Sequence, residues 1–353
     1  ISFAPMTPSF TPVTSPFDMS SLNTRPQKAG AVGVSLPHRS RSTSSVYRWK
    51  LNQVPTLPEF HPLERTAVFC ENTGASEVSA RISSTLRQRS VEASYDDEKA
   101  KVRCMTASGV DFRIRLYRGR GDYSHGIIVE VQRRFGFSLD FHEITCAILD
   151  SAQGLPAAAT PSVAKTALPM VVDEEDDYVP PPPSSRSSSL KMISKMFETR
   201  DSYFLALQTL ESLTDASRMG AFTAKSTSTE LLNTENAVGS KLVELILKKE
   251  EDDVFNLRVM ALNILANALS TVDGEISADL YESLRPALLQ ELKGASGSNA
   301  LVAQQVARCF EYTWEDDEDI DELREALETA KMVGQARHAG LEKQTKATLS
   351  KMM

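Results

Sequence analysis

The sequence predicts an α+β domain, formed by a small antiparallel sheet and two helices, followed by an all-α domain. The first prediction depends on residues 110–117, where apolar side chains alternate with charged residues or tyrosine, the period of a half-buried strand. The second depends on the chain after Leu190, where apolar residues recur at helical spacing between short turns. A length of 353 residues suits about two domains.

The α+β domain is predicted over residues 46–153. Residues 53–74 are expected to form a loop because they contain three prolines. Asp140 and Glu143 predict the start of the last helix, and Gly154 predicts its end. The elements are expected in the order strand, helix, three strands, helix. The first strand is predicted at 46–49 and the first helix at 76–88. The three strands are predicted at 91–95 with 101–105 as one extended segment, at 110–117 and at 127–131, and the last helix at 140–153.

The all-α domain is predicted over residues 190–336. Residues 256–268 resemble the core helix of armadillo or HEAT-like repeats, which implies an α-solenoid whose helix pairs pack on their neighbours. A simple helical bundle is the alternative. Helices are expected at 190–214, 229–250, 254–271, 276–293, 299–314 and 318–333.

Three further segments have the composition of unfolded chain. Residues 1–45 are rich in Ser, Thr and Pro, which predicts disorder. Residues 154–189 combine an acidic run with four consecutive prolines, which predicts an extended linker. Residues 337–353 are basic and are expected to be a frayed tail.

One segment departs strongly from the overall charge. The chain has a net charge of −8, yet residues 99–134 carry nine basic and three acidic residues, a net charge of +6. A sheet this basic inside an acidic protein predicts a surface for an anionic partner. The alternatives are a solvated polar face without a ligand and, as a weaker candidate, RNA bound through residues 118–121.

The sequence offers little for catalysis or metal binding. It contains no P-loop, no GxSxG, no HExxH and no dinucleotide fingerprint, so we expect neither an enzyme nor a cofactor. The five histidines lack metal-ligand spacing with each other or with the four cysteines, so no metal is expected. The scattered cysteines predict a reduced, cytoplasmic setting, and no apolar run is long enough to span a membrane.

Residues 46–152 resemble kinase-associated domain 1, the module that ends the microtubule-affinity-regulating kinases. The resemblance lies in the order of elements and in three motifs: Tyr47-Arg48-Trp49, residues 94–98 ahead of 101–104, and residues 129–136. It implies binding to acidic phospholipids and contact with an adjoining kinase domain. Together with the basic hairpin, it predicts six lipid-binding residues: Arg81, Arg87, Arg118, Arg120, Arg133 and Arg134.

These observations predict a non-enzymatic adaptor. We expect the α+β domain to bind reversibly to an anionic phospholipid membrane, at the inner face of the cell membrane, or to an autoinhibited kinase domain. The helical domain would bind a protein partner. One alternative is the C-terminal regulatory fragment of a Ser/Thr kinase whose catalytic domain precedes residue 1. The other is a protein scaffold that does not bind lipid.

Overall fold

A five-stranded antiparallel sheet forms the first half of the structure. The computed structural model describes residues 46–155, 186–233, 236–248, 256–274, 276–314 and 319–352, so the predicted segment 1–45 and most of the predicted linker lie outside the described residues. The strands are β1 (Ala67–Glu71), β2 (Glu92–Asp96), β3 (Lys101–Met105), β4 (Asp111–Arg118) and β5 (Gly126–Phe135). Their order across the sheet is β1-β5-β4-β3-β2.

Two helices, α1 (Ala75–Gln88) and α2 (Ser138–Gln153), cover one side of this sheet. The side chains that α1 buries recur every four residues, Val78, Ile82 and Leu86, and all three are inaccessible to solvent. They pack against the inner side of the strands, which carries Ile114 and Leu116. The predicted α+β class is therefore confirmed.

The first strand is not where the sequence placed it. Residues 46–50 form no strand, and β1 lies inside the segment predicted as a loop. Trp49 is nevertheless only 2% exposed, because this extended segment packs on α1, where Ser79 donates a hydrogen bond to the Trp49 carbonyl. Alternation explains β1: Cys70 points into the core while Phe69 points outward.

Two other boundaries differ from expectation. Residues 91–105 make two separate strands, β2 and β3, so four strands follow α1 rather than three. Helix α2 begins at Ser138, two residues before Asp140, and no side chain caps its first turn. Its predicted end is confirmed, since Gly154 adopts a φ of +77°, the left-handed conformation that glycine favours after a helix.

In the second half, every regular element within the described ranges is a helix, as predicted. Its longest uniformly buried helix is α8, which packs against α4, α6, α7 and α10. Its helices are α3 (Arg186–Met196), α4 (Tyr203–Thr214), α5 (Ala216–Met219), α6 (Ala221–Leu231), α7 (Ala237–Leu247), α8 (Leu257–Thr271), α9 (Ala278–Lys293), α10 (Ala300–Thr313), α11 (Ile320–Arg337) and α12 (Ala339–Lys351).

The early and final helices correct the sequence prediction. The helix expected at 190–214 is interrupted after α3, and α5 and most of α6 lie where no helix was expected. The helix expected from residue 229 begins at Ala237, as α7. The predicted frayed tail is wrong, because α12 buries Leu341 and Leu349 in the core of the helical half. Helix α3 also begins inside the stretch predicted as a linker.

The two halves share an interface, which we call the seam, within one compact unit over residues 44–353. The Arg337 guanidinium of α11 stacks 3.7 Å from the ring centroid of Tyr47. Arg87 of α1 pairs with Glu342 of α12 at 2.7 Å and also donates to the Gln335 carbonyl. These bonds join the end of α1 to the last two helices.

Two titratable groups lie in the seam. The Glu92 carboxylate of β2 accepts a hydrogen bond of 2.9 Å from the backbone N–H of Leu301, in the first turn of α10. Burial raises the pKa of Glu92 to about 7. His338, between α11 and α12, accepts a hydrogen bond from the backbone N–H of Leu341. Burial lowers the pKa of this imidazole to about 4.

We expect Glu92→Gln to raise the free energy of unfolding by about 2 kcal/mol more at pH 8 than at pH 5. A glutamate whose pKa is higher in the folded state than in the unfolded state stabilises most below its unfolded pKa. That stability is lost as the pH rises through about 7. Glutamine keeps the acceptor for Leu301 and cannot ionise.

Urea unfolding of both proteins at the two pH values measures this difference. Glu98→Gln is the matched control, because Glu98 is exposed in the turn that follows β2 and should change stability by less than about 0.5 kcal/mol. An equal effect of Glu92→Gln at both pH values would contradict the prediction.

Candidate anion-binding surface

The central strands of the sheet carry a cluster of basic residues on the side that faces away from α1 and α2. Alternation sends Ile114 and Leu116 into the core and the residues between them outward. We call the outward cations of the three central strands the basic sheet face. Its members are Lys101 and Arg103 of β3, Arg113 and Arg115 of β4, and Arg134 of β5.

Strand register places like charges opposite each other on this face. Lys101 is the partner of Arg115, and Arg103 is the partner of Arg113. Directly opposed like charges on one side of an antiparallel pair destabilise a sheet. Asp96 of β2 and Glu130 of β5 flank the Lys101–Arg115 pair in the same row and offset part of this repulsion, whereas Ser94 and Gln132 flank Arg103 and Arg113.

A buried carboxylate offsets part of this charge. Asp111 is 1% exposed and lies 3.3 Å from the Arg103 guanidinium and 3.5 Å from that of Arg134. The pairing of β4 with β5 shifts register between Asp111 and Phe112, which lets Arg134 approach the carboxylate. About half of each arginine side chain remains exposed, so both guanidinium groups are available to solvent.

A second carboxylate is hidden under the loop before β1. Glu130 is inaccessible to solvent; it accepts a hydrogen bond from the Glu64 backbone N–H and lies 3.5 Å from His61. The neighbouring Arg115 donates to the Tyr117 hydroxyl at 3.3 Å. The outward positions of β3, β4 and β5 thus carry five cations and two carboxylates, and both carboxylates are buried.

The six arginines predicted from the sequence do not form one patch. On α1, Arg81 pairs with Glu77 and donates to the Ala152 carbonyl. Arg87 is held in the seam by Glu342 and the Gln335 carbonyl, so little of its charge reaches solvent. Both side chains therefore have structural partners within the protein.

The other four predicted arginines lie at different ends and sides of the sheet. Arg118 is exposed at the hairpin end of β4, and Arg120 lies 3.7 Å from Glu59. Arg133 is about 20 Å from that end along β5, since six residues separate it from the partner of Arg118. Its guanidinium lies 6.0 Å from the Phe141 ring, on the helix side, while Arg134 faces outward.

The lipid-binding residues predicted from the sequence do not include four members of the basic sheet face, Lys101, Arg103, Arg113 and Arg115. Alternation predicts that Arg113 and Arg115 point outward, but a solvated polar strand has the same pattern. The informative signal is their register against Lys101 and Arg103, which depends on the turn between β3 and β4. This pairing cannot be obtained from periodicity within a single strand.

No protein-family model, no curated protein and no solved structure matches this chain.

Within the described ranges, no three His, Cys, Asp or Glu side chains are grouped so that they could hold a metal ion. No helix in the described part of the chain is both long and apolar enough to cross a bilayer.

We expect Asp111→Asn to lower the free energy of unfolding by about 2 kcal/mol, because it leaves Arg103 and Arg134 without their shared buried counter-charge. Urea unfolding measures this change. Asp96→Asn is the matched control on the same sheet, since Asp96 pairs only at the surface, 3.6 Å from Lys99. Its effect should stay within about 0.5 kcal/mol, and equal losses in the two variants would contradict the role of Asp111.

Proposed function

We propose that this protein is a non-enzymatic adaptor whose α+β half binds membranes rich in anionic phospholipid through the basic sheet face. The observation that supports this proposal best is that two pairs of cations lie directly opposite each other on neighbouring strands, Lys101 with Arg115 and Arg103 with Arg113. Phosphate groups at a membrane surface would insert negative charge between cations that the sheet holds together. The ligand thus relieves a repulsion that the fold imposes.

The strength of such binding follows from the number of cations. Each Lys or Arg close to an anionic leaflet contributes about 1 kcal/mol, and the contribution decays within a Debye length, about 10 Å at 0.1 M salt. Attachment through five cations is reversible and sensitive to salt. An adaptor of this kind would be cytoplasmic and peripheral at the inner face of the membrane.

The resemblance to kinase-associated domain 1 supports the same ligand class, although the proposed contact residues differ. That family's lipid patch maps here to Arg81 and Arg87, which have partners within the protein, and to Arg133 and Arg134. Arg134 is the residue shared by both assignments. Contact with an autoinhibited kinase domain remains a prediction from the resemblance.

For the helical half we propose binding of a protein partner on an armadillo-like scaffold. Helix α8 supports the scaffold, because its buried residues contact helices on several sides. The surface proposed for the partner lies on the consecutive helices α4, α5 and α6, where large apolar side chains are exposed. Leu205 is 56% exposed, Met219 43% and Phe222 73%. Exposed apolar side chains are typical of interaction surfaces where they form one contiguous patch.

We expect the full chain to sediment with vesicles that contain phosphatidylserine and to remain in solution with phosphatidylcholine vesicles. The double variant Lys101→Gln/Arg113→Gln should weaken binding roughly thirtyfold, because two cations contribute about 2 kcal/mol. Neither residue pairs with Asp111, so the variant leaves that buried carboxylate with both of its arginines.

The matched control is Arg118→Gln/Arg120→Gln, which removes the same charge from the exposed hairpin. It should reduce binding by less than about threefold, since these residues lie outside the basic sheet face. A larger loss in the hairpin variant than in the sheet variant would move the site to the hairpin. Equal sedimentation with both vesicle types would contradict lipid binding itself.

A further inference from the structure

The loop before β1 crosses the outward side of the sheet, the side on which the basic sheet face lies. Tyr117 of β4 points to this side, as Arg113 and Arg115 do, yet it is only 7% exposed. The imidazole of His61, from the loop, lies 5.4 Å from the Tyr117 ring and 3.5 Å from the outward carboxylate of Glu130. The loop and the cations are therefore on the same side of the sheet.

The backbone holds this loop to the sheet on both sides of a turn. Residues 55–57 pair with Arg118 at the end of β4, through two backbone hydrogen bonds of 2.9 and 2.8 Å. Farther along the loop, the Glu64 N–H donates to the Glu130 carboxylate at 3.1 Å. Residues 58–61 form the turn, in which the N–H of the last residue donates to the carbonyl of the first at 3.3 Å. The turn is thus presented at a fixed place.

Apolar side chains are exposed on and beside this turn. Phe60 is 91% exposed, more than any other large apolar residue within the described ranges, and Leu63 is 40% exposed. Pro58 and Pro62, on either side of Phe60, are exposed as well. We call these four residues the apolar tip. Apolar side chains that are grouped at one exposed place indicate an interaction surface, whereas single scattered ones do not.

We propose that the apolar tip inserts into the surface of the anionic membrane that the basic sheet face binds. This inference rests on the proposed function and adds an apolar anchor to it. Phenylalanine and leucine are among the side chains that membrane-bound segments bury at the boundary between headgroups and acyl chains. A fluid bilayer accepts a projecting side chain without a preformed pocket, and the phosphate groups around it complement the cations on the same side of the sheet.

The tip and the cations contribute to binding in ways that respond differently to salt. The attraction of the cations to the leaflet weakens with salt, because the Debye length falls from about 10 Å at 0.1 M to about 3 Å at 1 M. The transfer of an apolar side chain out of water is not screened in this way. Glu59, next to Phe60, lies 3.7 Å from Arg120, so these two charges offset each other beside the tip.

Binding of the full chain to vesicles that contain phosphatidylserine, at 0.1 M and 0.3 M salt, tests the proposal. Phe60→Ala should weaken binding roughly tenfold at both salt concentrations, because the burial of a phenylalanine side chain is lost. The loss caused by Lys101→Gln/Arg113→Gln should instead become smaller as the salt concentration rises. Phe60→Leu keeps an apolar side chain and should bind within about threefold of the original protein.

Phe137→Ala is the matched control, because Phe137 is 63% exposed directly before α2, which covers the opposite side of the sheet. It should bind vesicles as the original protein does, and neither alanine variant should change the melting temperature. If the original protein binds and Phe60→Ala binds equally well, or if both alanine variants lose the same affinity, insertion of the tip is wrong while lipid binding by the cations stands. No vesicle binding by the original protein would overturn both proposals.

Fluorescence quenching by brominated phosphatidylcholine in the same vesicles measures insertion directly. Of the two native tryptophans, Trp49 is 2% exposed and Trp314 lies in the helical half, so the original protein should show little quenching. The Phe60→Trp variant should bind at least as well and should be strongly quenched, because tryptophan favours the membrane interface. Binding of this variant without additional quenching would place the tip in water and would overturn the proposal.

Discussion

The pairing of β3, β4 and β5 determines both the core of the sheet and its charged surface. Ile114 and Leu116 are fully buried on the inner side, so Arg113 and Arg115 between them must point outward. A slip of one residue would send the arginines into the core and the apolar residues into solvent. The opposed cations therefore cannot separate without loss of the packing that stabilises the sheet.

The seam between the two halves determines which basic residues remain available. Arg87 and Arg337 both lie there, one against the Glu342 carboxylate and the other against the Tyr47 ring. These contacts use positive charge to join the halves, whereas on the outward side of the sheet Arg103 and Arg134 are exposed and the other three cations are half-buried. The seam thus withdraws Arg87 of α1 from solvent, while about half of the Arg103 and Arg134 side chains remains accessible.

Local patterns in the sequence predicted the elements whose signal is contained within one segment. The four-residue spacing of Val78, Ile82 and Leu86 predicted α1, and Gly154 predicted the end of α2. Strand β1 was missed because an edge strand of five residues beside several prolines has a weak pattern. Three features arise from contacts between distant segments, which periodicity within one segment does not report. They are the burial of α12, the pairing of Arg87 with Glu342 and the register of the strands that carry the basic sheet face.

The seam also has a consequence for synthesis of the chain. Arg87 and Glu342 are 255 residues apart, and Ser90 is 250 residues from Gly340, which donates to its hydroxyl. At ribosomal rates of about 5–20 residues per second, roughly 10–40 s pass between completion of the sheet and completion of α12. During that interval Tyr47 and Tyr95 lack the Arg337 side chain of α11 that later covers their rings, so the nascent chain exposes an aromatic surface until α11 has been made.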